Sequence, residues 1–149
     1  MAVPKEDIVC RFIRRGEWSK RENRPRPGAF KQVGLSVWHR ERLQSTGATL
    51  KDLQFNSLGR SGTALLTVNQ FFEAAETAEQ VRAGKLNVDV EWCPETVDEA
   101  RRQWKYAHAE VETRLSGEPP KDTGGLMSAF RMELCLMAEC TAPPDSDSK

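Results

Sequence analysis

The chain has 149 residues, of which 38% are hydrophobic and 30% charged, with 22 basic and 22 acidic side chains giving a formal net charge of zero. That length suits one domain with one core, and four Trp and six Phe supply enough apolar surface to exclude global disorder. No window approaches the roughly 20 apolar residues that span a bilayer, and residues 1–7 lack a signal peptide's apolar stretch, so no membrane association and a cytoplasmic location are expected.

Residues 7–14 place Ile8, Cys10 and Phe12 alternately with Val9, Arg11 and Ile13, which predicts an opening strand with one well-buried face. Residues 16–28 contain two Arg-Pro steps and no apolar period, so they read as an irregular, exposed connection. Trp18 within it either pins the loop to the core or waits for a ligand. Residues 34–37 predict a strand, residues 38–44 a short helix, and Thr49 caps a further turn over 50–53. A Gly- and Ser-rich turn at 59–62 precedes an apolar run that suits a strand or a helix start. Residues 68–83 repeat Val68, Phe71, Phe72, Ala75, Ala78 and Val81 at helical spacing, with Thr67 as cap.

Residues 86–93 alternate Leu86, Val88, Val90 and Trp92 with polar partners, predicting a half-exposed strand with its acids in water. Pro94 ends it, and an amphipathic helix is expected over 96–106. Residues 107–113 are compatible with strand or helix, residues 116–125 form a loop, and the Met, Leu, Ala and Glu content of 126–140 favours a helix. The expected fold class is α+β: a single compact domain over 1–140, a small mixed sheet packed by two or three helices, and a disordered tail over 141–149.

Net zero charge conceals a local excess. Residues 11–31 hold eight cations (Arg11, Arg14, Arg15, Lys20, Arg21, Arg24, Arg26 and Lys31) against Glu17 and Glu22, a net of +6 that leaves about −6 for the rest. A basic segment on an acidic body suits a protein partner, with Arg15, Trp18, Lys20, Arg21, Arg24, Arg26 and Lys31 as the contact set, since Arg and Trp are common energetic centres of interfaces. Nucleic acid is an alternative partner, through phosphate neutralisation and stacking on Trp18 or Phe30.

Common enzyme motifs are absent: no phosphate-binding Gly loop, no HExxH and no GxSxG occurs. Cys10, Cys93, Cys135 and Cys140 lack zinc-type spacing and read as free thiols, so no metal is expected. His39 and His108 are the default acid/base candidates, and in a strand His108, Glu110 and Glu112 share one face. An Arg on the first strand (Arg11 or Arg14), Ser36, and the Glu110 and Glu112 pair loosely resemble ADP-ribosyltransferases. That resemblance implies an Arg and a Ser that position NAD and a Glu that stabilises the ribosyl oxocarbenium ion. It lacks the family's Ser-Thr-Ser triplet, where Leu35, Ser36 and Val37 stand.

Phe12 and Arg14, the block Pro27, Gly28, Ala29, Phe30 with Leu35, Ser36, Val37, and the late AHAEVE segment are together similar to a group of small uncharacterised bacterial proteins. The likeness spans residues 8–112 and carries over only Phe30, Ser36 and His108. It implies a role in a multi-gene bacterial system and names no cofactor.

Overall fold

The computed structural model describes residues 1–31, 34–47, 62–94, 104–116 and 125–143. The expected cap at Thr49, the turn at 59–61, most of the 96–106 helix, the 117–124 loop and the tail beyond 143 lie outside them.

Six strands form one sheet: β1 (Ile8–Ile13), β4 (Leu35–His39), β5 (Gly62–Thr67), β6 (Lys85–Trp92), β7 (His108–Ser116) and β8 (Glu139–Thr141), in the order β6-β7-β4-β1-β5-β8. Every pairing is antiparallel. A two-stranded ribbon, β2 (Trp18–Ser19) with β3 (Arg24–Pro25), follows β1. Among the described residues three α-helices complete the α+β fold: α1 (Arg40–Ser45), α2 (Val68–Val81) and α3 (Leu126–Met137).

β1 is central, so both its faces are buried rather than one. Val9 and Ile13 join the main core, while Cys10 and Phe12 join a smaller cluster with Trp38, Leu43, Trp104 and Ala107 on the other side. α2 starts cleanly because Thr67 Oγ1 accepts from Gln70 N and Gln70 Oε1 accepts from Thr67 N, a reciprocal cap. Its Phe71, Ala74, Ala75 and Ala78 meet the inward residues Leu86, Val88 and Val90 of β6. α3 lays Leu126, Phe130 and Leu134 beside it. Each such large side chain, fully buried, contributes about 1.5–3 kcal/mol.

Three expectations need correction, and one open choice is settled. The 16–28 connection is ordered by the β2–β3 ribbon and by 3₁₀ turns at Arg15–Glu17 and Pro27–Phe30, because Trp18 and Pro25 pair and bury together. Trp38 and His39 belong to β4, not to a helix, since Trp38 pairs with His108 and the helix begins only after His39 caps it. The open choice over residues 107–113 falls to strand from His108 onward, and β7 pairs with β6 along eight residues. The 126–140 helix stops at Met137, and Glu139–Thr141 adds β8 to the outer edge of β5. That close approach requires Gly62, where a Cβ would fall 2.5 Å from the Thr141 carbonyl oxygen.

Both sheet edges are blunted. Residues 1–3 cover the end of β6 through Val3 N to Val90 O (2.9 Å) and Trp92 N to Met1 O (3.0 Å), and β8 is only three residues long.

Candidate functional site

Where β1 ends, Arg14 N donates to Glu17 Oε1 at 2.8 Å and Glu17 O accepts from Arg26 N at 2.7 Å, tying the first 3₁₀ turn to the far end of the ribbon. The ribbon turns through Asn23, held at φ +55°, a conformation Asn tolerates better than most residues. Arg15, Lys20, Arg21 and Arg26 are thereby gathered around a pocket of about 500 Å³, with Trp18, Ser19 and Asn23 beneath and Ala142 and Pro143, which follow β8, as one wall. Among the described residues no carboxylate lines it. Four basic side chains around one cavity make it a focus of positive potential suited to anionic groups.

The remaining basic residues do other things. Trp18 is only 8% exposed and belongs to the main core, so it is a pin and not a projecting anchor. Arg24 pairs with Glu22, Arg14 is exposed ahead of the pocket, and Lys31 is exposed beyond it. Arg11 is half-buried: Nε donates to Ala29 O and Nη1 to Ser36 O, both at 3.1 Å. Burial pulls its guanidinium below the ordinary value, with Glu17 opposing.

The other candidates divide between the two sides of the sheet. Ser36 lies opposite Glu110 and Trp38 opposite His108, so Ser36, His108, Glu110 and Glu112 share a face. A Cβ at Gly34 would lie 3.1 Å from Glu110 Oε2 and 3.2 Å from Glu112 Oε1, which places both carboxylates beside the start of β4. Arg11 alternates with Cys10 and so points to the other face, where only the backbone carbonyl of Ser36 is in its reach. His108 is buried, its ring centroid 4.9 Å from that of Trp38 and its Nδ1 donating to Cys93 O at 2.7 Å. His39 is buried too. Its Nδ1 accepts from Arg42 N at 3.0 Å, which leaves the proton on Nε2 to be donated to Asp7 Oδ2 at 2.7 Å. Both ring nitrogens of His39 are thus engaged in holding β4 to α1 and to the N-terminal segment.

A second concavity of about 1010 Å³ wraps β6. Asp89, Glu91, Glu110 and Glu112 line it from the open face, Glu76 and Glu79 from α2, with Lys85 and Arg114 as its cations. Asp89 stands opposite Glu112 and Glu91 opposite Glu110. Sequence patterning places the β6 acids in water but does not reveal this pairing, which depends on the β6–β7 register. It also misses Ala142 and Pro143, which carry no local signal. Nor does it find the Arg42 guanidinium lying 3.3 Å from the Trp92 ring centroid and 4.3 Å from that of Tyr106.

Among the described residues no group of three or more His, Cys, Asp or Glu side chains could hold a metal ion, and no helix is long and apolar enough to cross a membrane. The chain matches no protein-family model, no curated protein and no solved structure with which it was compared.

Proposed function

We propose that the chain acts by binding, and that the basic pocket of the β2–β3 ribbon receives an acidic segment of a protein partner. The observation that carries this reading is the lining itself: among the described residues, Arg15, Lys20, Arg21 and Arg26 converge on about 500 Å³ with no carboxylate in the lining. Converging cations of this kind recognise carboxylate-rich segments through charge-assisted hydrogen bonds, and Arg presents its donors as a planar fork. The pocket is anchored to a core-pinned ribbon, so its cations are held on a rigid base rather than on a free loop. Arg24 and Trp18 leave the contact set because each is engaged elsewhere, and Lys31 leaves it because it lies outside the pocket lining.

A fluorescent peptide of alternating Asp and Glu, titrated with the protein and followed by anisotropy, tests the reading. Binding that weakens with salt, and falls at least tenfold in the Arg21→Glu, Arg26→Glu double variant, is expected. Undiminished binding by that variant removes the pocket from consideration. Preferential binding of a single-stranded oligonucleotide in the same assay transfers the site to nucleic acid.

A further inference from the structure

We infer that the acidic concavity around β6 receives the basic β2–β3 ribbon of a second copy of this chain, in a head-to-tail contact. This rests on the binding reading above and names the partner. The two surfaces lie at opposite margins of one sheet: β6 is one edge strand, and the pocket wall Ala142–Pro143 continues directly from β8, the other. Five strand spacings separate those edges, roughly 24 Å. One molecule cannot close them upon itself.

Their charges are opposite in sign. Among the described residues four cations line the pocket, while six carboxylates with Lys85 and Arg114 line the concavity. The chain as a whole is neutral, so no net repulsion opposes the approach of two copies.

The acidic surface also carries an internal cost that a cationic partner would offset. Asp89 faces Glu112 across the β6–β7 ladder, and like charges directly opposite one another destabilise a sheet. The contact is one of side chains rather than strand addition. Residues 1–3 already cover the end of β6, and Glu79 Oε2 accepts the Leu86 N–H at 2.7 Å. Because the two surfaces differ, the contact is heterologous, and it propagates from copy to copy unless the rotation happens to close a ring.

Sedimentation equilibrium of the intact chain in 0.1 M and 1 M NaCl provides the test, since the Debye length shrinks from about 10 Å to about 3 Å between them. A weight-average mass that climbs above 16.8 kDa with concentration at low salt and returns to it at high salt is expected. Arg21→Gln with Arg26→Gln, and Asp89→Asn with Glu112→Gln, should each weaken association at least tenfold. Mixed in equal amounts, the two variants should form a 1:1 pair of twice the monomer mass and nothing larger. The acidic-face variant relieves like-charge contacts and should fold at least as well as the parent. A parent that stays monomeric at low salt, variants that associate like the parent, or a mixture that stays monomeric overturns the inference. If the acidic peptide still binds in any of those cases, the pocket reading survives alone; if it fails as well, both fall.

Discussion

Replacing Arg11 with Met should lower stability by about 3 kcal/mol without touching either charged surface. β1 and β4 are in register at Val9 with His39 and Cys10 with Trp38, and the paired register ends there. From that point the Arg11 guanidinium takes over as the link, donating to Ser36 O of β4 and to Ala29 O of the Pro27–Phe30 turn. A hydrogen bond from a charged group contributes roughly 1.5–3 kcal/mol, and Met keeps the apolar stem while removing both donors. The site is half-buried, so water can reach part of the vacated space, which argues for the lower end of the doubled range. Against a typical domain stability of about 5–15 kcal/mol the loss is large. At a urea slope of about 1.5 kcal/mol per molar it moves the midpoint down by roughly 2 M. Lys should recover only part of it, because a single ammonium cannot reproduce the planar fork that reaches two carbonyls on different segments. The assay is urea unfolding followed by tryptophan fluorescence. A midpoint for Arg11→Met within roughly 0.3 M of the parent would refute the bridging role.

Trp18→Ala should cost about 3–5 kcal/mol in urea unfolding; parent-like stability with lost acidic-peptide binding would make Trp18 a contact residue rather than a core pin. His39→Ala should cost about 1–2 kcal/mol through loss of the α1 cap, and His39→Asn should recover much of it, both read by thermal or urea unfolding. Long-range ¹H–¹⁵N spectra at neutral pH should show Nδ1 of His39 without its proton, and a protonated Nδ1 would mean that the cap is not made. Burial pushes the thiols of Cys10 and Cys135 up from 9.0 to about 12, aided for Cys135 by the neighbouring Cys140. The folded state therefore holds protons that the unfolded chain releases above pH 9, so this contribution is intact below pH 9 and declines as pH rises toward 12. At pH 10 the decline is about 1.4 kcal/mol per thiol. Cys10→Ala and Cys135→Ala should each flatten the alkaline limb of a stability–pH curve, and an unchanged limb would contradict the burial argument.

Elements with a strong local period were legible from sequence: α2 from its apolar spacing and Thr67 cap, and β6 from its alternation. The failures have one cause in common, which is that tertiary pairing decided the outcome. His39 has no local reason to prefer strand and Trp38 only its own β propensity, yet Trp38 is held opposite His108. Glu139–Thr141 lacks β-branched residues except Thr141, but a three-residue edge strand needs only backbone groups facing the free side of β5. The basic cluster was visible as composition. Which of its members face solvent was not, because the burial of Arg11 and Trp18 follows from where β1 ends and how Pro25 packs. The Asp7–His39 contact joins residues 32 apart and leaves no trace in local pattern.

Sheet parity explains why the sequence-level candidates separate as they do. Register fixes Cys10 opposite Trp38, so every residue of β1 that shares a face with Ser36, His108, Glu110 and Glu112 is even-numbered. Arg11 is odd-numbered and lies on the side covered by α2, α3 and the Pro27–Phe30 turn. An arginine on β1 joining that carboxylate face would need a one-residue slip, which would also expel Val9 and Ile13 from the main core. The hydrophobic pattern thus forbids the slip. Cations on the free side of the ribbon escape the constraint, because β2 and β3 belong to a separate two-stranded sheet. The same rule that commits Arg11 to structure therefore leaves Arg15, Lys20, Arg21 and Arg26 to a separate ribbon, where they surround a pocket of their own.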